Sequence, residues 1–287
     1  MQITALNIYP VKSLGGIALR EARLTVEGLA WDRRWMVVDD VGRFVTQRQL
    51  PAMARIGVTL EDDALVLTHP QAEALRVPLA REGQERLSVY VWDDRCEALD
   101  EGAEARAWLA AVLGDYQGSG LRLVRFAPNH ERRVESRYLR PGERAHTGFA
   151  DGYPFLVVSE ASLADVNRRL AAKGQDAVPM TRFRPSLVVA GEAPFAEDGR
   201  GELGALDGRW RMGLRKPCQR CKITTIDQLS GEILVPGEPL RTLVEMNRSL
   251  APGGYFGQNA ILLQGEGVTL RVGERCRFEG DRNGSRG

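Results

Sequence analysis

At 287 residues the chain has room for two domains of about 100 to 150 residues, each able to bury a workable core. With 43% hydrophobic and 27% charged residues, and no apolar run near the ~18 residues that span a bilayer, it reads as soluble and globular, with no membrane partner. Thirty-nine basic against 38 acidic residues leave a formal charge of +1, which excludes a global field for nucleic acid, so any anion must be held locally.

The opening MQITALNIYPVKS lacks a basic region followed by an apolar one. No secretory signal is therefore expected, and a cytoplasmic location follows by default. Short alternating apolar runs over the first 95 or so residues predict antiparallel strands in meander-like pairings, at Ile3 to Ile8, Trp35 to Val38 and Ile56 to Leu60. Asp39, Asp40 and Gly42 break one hairpin, and Glu61, Asp62 and Asp63 another. Helical spacing of Ala105, Trp108, Leu109 and Val112 predicts a helix from Glu101 to Leu113, with Gly114 as its stop.

A strand near Leu121 to Phe126 precedes a polar, arginine-rich stretch from Pro128 to Thr147, expected to be a linker or active-site loop that divides the domains. Tyr153 to Val158 reads as a strand, and Ser159 as the cap of a helix with Leu163, Val166 and Leu170 on one face. Further strands fit Ser186 to Ala190, Arg209 to Leu214, Lys222 to Ile226, Ala260 to Leu263 and Val268 to Val272. Residues Asp281 to Gly287 read as a frayed tail. The expected chain is mainly β with a few helices (α+β), in two domains at 1–125 and 126–280 with a flexible tail at 281–287.

The four cysteines are Cys96, Cys218, Cys221 and Cys276, and one close pair among four argues against a disulfide scaffold. That pair sits in Lys216-Pro217-Cys218-Gln219-Arg220-Cys221-Lys222. Arg215, Lys216, Arg220 and Lys222 would favour a thiolate, the form that ligates metals. Four readings compete. Structural zinc needs four ligands, and no second Cys-x-x-Cys or paired His half exists, with His69, His130 and His146 scattered, so no zinc is expected. A thioredoxin-type dithiol opens a helix, whereas Ile223-Thr224-Thr225-Ile226 predicts a strand. Two buried spectator thiols are the plain alternative. The last is one soft thiolate on a soft-ligand metal such as molybdenum. Spacing does not choose among them.

The segment Lys216 to Asp227, KPCQRCKITTID, resembles the signature of MOSC-domain proteins, and is similar to that of the mitochondrial amidoxime-reducing components and their bacterial relatives. Tyr9-Pro10-Val11-Lys12-Ser13, Asp32-Arg33-Arg34-Trp35 and Thr46-Gln47-Arg48-Gln49 resemble the family's N-terminal β-barrel domain. Phe155 to Ser162, Arg182-Phe183-Arg184-Pro185 and Phe256-Gly257-Gln258-Asn259 resemble the MOSC β-barrel domain itself. The motifs occur in the family's order from about residue 1 to 280.

The resemblance implies that molybdenum cofactor lies between the domains, with Cys221 as the protein ligand to the metal and Cys218 a nearby structural thiol. It implies a cradle of Lys12, Ser13 and Arg33 from the first domain and Ser159, Arg184, Gln219, Arg220 and Cys221 from the second. Ser186 stands where the family commonly has Asn, so a hydroxyl replaces a side-chain amide there. These residue types suit the group, a pterin dithiolene with a terminal phosphate. Lys12, Arg33 and Arg184 supply cationic donors, Ser13 and Ser159 neutral ones, and Ser159 would place helix N–H groups near an anion. Ser159 could equally only cap its helix. Asp227 reads as a turn residue in preference to a proton acceptor.

The implied activity is reduction of small N-hydroxylated compounds (hydroxylamines, amidoximes, N-hydroxylated bases) by two-electron oxygen-atom transfer. No cysteine cluster for iron–sulfur follows Cys276, so the expected partner is a separate electron-transfer protein: a ferredoxin, a flavoprotein reductase or a cytochrome b5-like donor. The alternative is a non-catalytic cofactor-binding or sulfur-carrier protein that relays sulfur through Cys221.

Overall fold

The computed structural model describes residues 1–248 and 251–281. It is mainly β with three α-helices among the described residues, as the alternating runs predict. Eight strands form the largest sheet, in the order Cys276–Asp281, Arg200–Ala205, Arg211–Gln219, Tyr255–Gln264, Phe155–Ser159, Leu187–Ala190, Gln2–Ile8 and Ile17–Leu19. Neighbours are antiparallel except Phe155–Ser159 and Leu187–Ala190, which run parallel. The helix Glu160–Ala172 lies on the connection between those two. A four-stranded sheet (Trp35–Asp39, Leu121–Phe126, Asp94–Asp100, Arg86–Val91) and a three-stranded one (Gly57–Leu60, Ala64–His69, Ala72–Pro78) build most of the first half.

The meander expectation holds where Glu61 to Asp63 turn Gly57–Leu60 back onto Ala64–His69. It does not hold for the first strand. Gln2–Ile8 pairs with Leu187–Ala190 on one edge and Ile17–Leu19 on the other. Ile3, Leu6 and Ile8 are at most 2% exposed and share a core with Phe155, Val157 and Trp210. Burying each such side chain is worth roughly 1.5–3 kcal/mol, enough to draw the segment across the molecule. Glu21–Thr25 likewise pairs with Thr269–Arg271.

A second core gathers Trp35, Met53, Leu65, Trp108 and Leu109 under the helix Ala103–Leu113. That helix stops at Gly114, whose φ of 69° suits glycine. Within this core the Trp35 indole N–H donates to Glu101 Oε1 at 2.6 Å, and Arg125 Nε donates to the same oxygen at 2.7 Å. The buried carboxylate is thus fully paired.

In the second half, Ser159 caps its helix by accepting from Ser162 N at 3.4 Å. The strands expected around Ser186, Arg209, Ala260 and Val268 are present, and Arg211–Gln219 and Tyr255–Gln264 run longer than expected. The strand expected over Lys222 to Ile226 is a correction, because Lys222–Thr225 forms a 3-10 turn. Thr224 Oγ1 donates to Cys221 O at 3.0 Å and Thr225 Oγ1 to Lys222 O at 2.7 Å. These local bonds offer the backbone a turn and override the β preference of the side chains. The strand argument against a dithiol at a helix start therefore loses its premise. Of the expected tail, Asp281 ends the last strand and the remainder lies outside the described residues. Among the described residues no helix is long and apolar enough to cross a membrane.

Candidate functional site

Where the two halves meet, one pocket is lined by Lys12, Ser13, Arg33, Arg48, Arg184, Ser186, Gln219, Arg220, Cys218 and Cys221. Eight of the nine expected cradle residues are therefore together. Ser159 is the exception: it is 1% exposed, does not line the pocket, and its hydroxyl is occupied by the helix cap.

The first wall forms around Asp32. Its carboxylate accepts from Tyr9 N at 2.7 Å and pairs with Arg33. The Tyr9 ring lies against two guanidinium groups, Arg33 at 4.4 Å and Arg184 at 4.2 Å. Burial pushes the Tyr9 hydroxyl up to about 12, against the pull of both arginines. Arg33 Nη2 donates to Arg184 O at 3.2 Å, and Arg184 Nη1 donates to Leu14 O at 2.7 Å. Each half thus holds the other's backbone through an arginine. Burial lowers Arg184 to about 10. Gln47 and Gln228 add a reciprocal amide pair across the halves, at 3.1 and 2.9 Å.

Lys12 is 5% exposed. Its ammonium donates to Phe149 O at 2.7 Å and to Asp151 Oδ1 at 2.6 Å. Burial lowers it to about 8, and Asp151 offsets part of that drop. The Asp151 side chain is exposed, and the charge and hydrogen bond of Lys12 hold its carboxyl below the usual range. The segment carrying Asp151 is fixed from behind by Arg132, which is buried and donates to Gly148 O, Ala150 O and Asp151 O at 3.1, 2.5 and 3.0 Å. Arg132 belongs to the arginine-rich stretch expected as a loop.

The thiols end the long strand Arg211–Gln219. Bulges near Lys216 and Pro217 break its register with Tyr255–Gln264, and the chain then turns through Cys221. The cations expected to surround the thiols mostly face elsewhere. Arg215 is buried against Glu143, and Lys216 lies 3.6 Å from Glu135 and over the Tyr138 ring. Arg220 Nη1 donates to Cys218 Sγ at 2.8 Å. The donor to Cys221 Sγ is Arg48 Nη1, at 3.9 Å and from the other half of the chain. Arg48 stood in the Thr46-Gln47-Arg48-Gln49 motif without being singled out as a site residue. Asp32, Asp151 and Tyr9 were missed as well. The doubled basic side chains beside an acid at Asp32-Arg33-Arg34 were the one signal available.

Asp227 is a turn residue: Oδ1 accepts from Leu229 N at 3.0 Å and Ser230 N at 2.9 Å. The Ser230 and Leu229 amides hold its carboxyl below the usual range. His146 bridges to Arg133 outside the pocket.

Five cations line the pocket, Lys12, Arg33, Arg48, Arg184 and Arg220, against one carboxylate, Asp151. Three of their buried nitrogens, Arg48 Nη2, Arg184 Nη2 and Arg220 Nε, have no acceptor. Orphaned buried donors are costly, so their concentration around one pocket fits an anionic ligand rich in acceptors. Among the described residues no three His, Cys, Asp or Glu side chains converge as metal ligands. A metal here would take one protein thiolate and draw its remaining ligands from elsewhere. A pterin dithiolene bearing a phosphate meets both requirements.

Residues 1–116 match the MOSC N-terminal beta barrel domain, and residues 144–277 match the MOSC domain. Mitochondrial amidoxime-reducing component 1 of Mus musculus is 36% identical over 248 residues, spanning 84% of this chain and 70% of that protein. Mitochondrial amidoxime reducing component 2 of Bos taurus is 34% identical over 247 residues, with the same coverage. Molybdenum cofactor sulfurase of Solanum lycopersicum is 30% identical over 305 residues, spanning 98% of this chain and 36% of that protein.

Proposed function

The chain belongs to the MOSC-domain family with an N-terminal MOSC β-barrel, and from that premise we propose that it is a molybdenum cofactor-dependent reductase of N-hydroxylated compounds, with Cys221 as the ligand to the metal. The observation that carries this is the convergence of five cations from both halves on a pocket that contains a half-buried thiol. Bound there, the cofactor supplies two-electron oxygen-atom transfer, with electrons returned by a separate ferredoxin, flavoprotein reductase or cytochrome b5-like protein.

The chain's own contribution is ligation, charge balance and orientation. Lys12, Arg33 and Arg184 would offset the charge of the anionic end, and Arg184 Nη2, which has no acceptor in the protein, would donate to a ring or phosphate oxygen. Ser13 and Ser186 offer hydroxyls, and Gln219 and Arg220 close the wall beside the thiols. Arg48 donates to the Cys221 sulfur and so orients it, as outer hydrogen bonds do at metal sites.

Protein purified from a cofactor-competent host is expected to carry molybdenum and pterin, and to reduce a hydroxylamine or amidoxime with an artificial electron donor. Cys221→Ala abolishes that turnover and Cys218→Ala leaves much of it. Equal turnover by wild type and the Cys221 variant overturns the assignment. The similarity to a molybdenum cofactor sulfurase favours one other reading, in which Cys221 relays sulfur. A persulfide on Cys221 detected by mass spectrometry, without bound cofactor, decides for it.

A further inference from the structure

A second cleft opens on the other side of Arg48. It holds about 260 Å³ and is walled by Phe44, Tyr90, Trp92 and Tyr116, with Arg43 and Arg48 among its lining. Arg48 lines this cleft and the thiol pocket alike, so a single guanidinium stands between them. The cleft lies near the small end of ligand pockets and has room for one planar molecule.

Four aromatic rings suggest a cage for a cation, but the charges argue otherwise. The Arg48 guanidinium already lies 4.4 Å from the Trp92 ring centre and 5.5 Å from that of Phe44. Arg43 sits 6.0 Å from the centre of Tyr90. Three of the four rings that would attract a cation therefore have one already. Neither arginine has a carboxylate within ion-pair distance among the described residues, and Asp39, the one acid in the lining, accepts from Val41 N and Arg43 N in its own turn. A ligand cation entering here meets the positive charges of Arg43 and Arg48, whereas an anion meets the Arg43 fork, with Arg48 adding its charge from behind.

Trp92 adds a second, independent observation. It is the first residue of a two-residue hairpin between Val91 and Asp94, with φ of 56°, where glycine is the unstrained choice. A bulky residue there is a backbone outlier, and it leaves the indole 48% exposed at the cleft. Phe44 supports it edge-on at 5.1 Å. The strain holds a large flat surface in position without burying it.

We propose that this cleft binds planar aromatic anions, a ring bearing a carboxylate or phosphate, with the ring on Trp92 and Tyr90 and the acid on Arg43. As a binding site it stands alone. As a substrate subsite, feeding such molecules past Arg48 to Cys221, it rests on the reductase reading.

The test is calorimetric, on the full chain, with 2-naphthoate, 2-naphthol and 2-naphthylmethylammonium as probes. Naphthoate is expected to bind more tightly than naphthol and the ammonium to bind least, with naphthoate affinity falling as salt rises. Arg43→Gln weakens naphthoate by about tenfold, as loss of a charged hydrogen bond does, and leaves naphthol unchanged. Trp92→Gly weakens both aromatic probes and keeps the melting temperature, because it relieves the backbone. No saturable binding, an ammonium bound as well as the naphthoate, or a naphthoate affinity indifferent to Arg43→Gln each overturns the proposal. Failure of the reductase reading would appear separately, as absence of turnover by cofactor-loaded protein, and would leave these affinities unaffected.

Discussion

Ser13, Arg33 and Arg184 all hold left-handed backbones, with φ of 67°, 49° and 53°. Outside glycine that conformation costs roughly 1–2 kcal/mol per residue, and all three line the same pocket. Ser13→Gly should therefore raise stability by about 1 kcal/mol, a few degrees in melting temperature, while lowering cofactor retention. Lys12 yields a pH dependence. Burial sets it at about 8, well below its ordinary 10.5. Between those values the unfolded chain binds a proton that the folded one lacks, so this lysine weighs against stability most fully below about 8 and less as pH rises. Anion affinity runs oppositely: the ammonium is present below about 8 and lost above it. Binding of sulfate, whose own charge is constant in this range, should be flat from about pH 6 to 8 and decline by up to about tenfold per unit above about 8, and Lys12→Met should flatten the curve. At this scale the sequence was legible where charge sat in a motif, as at Lys12, Arg33 and Arg184. Arg48 also stands in a family-like motif, but its role was not legible, because a contact to a sulfur 173 positions away leaves no local trace.

Periodicity revealed the elements well where burial alone decides them. The helix Ala103–Leu113 and the turn at Glu61 to Asp63 follow from apolar spacing and residues that favour turns. The segment after Cys221 shows the limit of that reasoning. Ile223-Thr224-Thr225-Ile226 has the composition of a strand, yet two hydroxyls bond back onto the carbonyls three positions earlier and close a 3-10 turn. Thr225→Val removes one of these bonds from a buried site while strengthening the β preference. It is expected to cost about 1 kcal/mol, read as a lower denaturation midpoint, and to change the rate at which Cys221 is alkylated. An unchanged midpoint and an unchanged rate would show that the turn does not depend on that hydroxyl.

Over the whole molecule the two halves are interleaved. Gln2–Ile8 lies inside the large sheet, and Glu21–Thr25 pairs with Thr269–Arg271, so residues before 30 complete the core of the second half. A cut at 125/126 that separates the halves is expected to leave 126–281 unable to fold alone, with an aggregated or molten product by circular dichroism and gel filtration; adding 1–125 should restore it in part. The order of motifs along the chain gave the architecture, but not this exchange, since a seven-residue apolar strand carries no address for its partner. Time enters through the same pairing. Leu6 leaves the ribosome about 180 residues ahead of Leu187, its partner, which at about 5–20 residues per second is a wait of roughly ten to forty seconds. For that interval the nascent chain holds one edge of this apolar strand unpaired, its other edge being met early by Ile17–Leu19, and the cradle around Cys221 comes into being only after both halves have emerged.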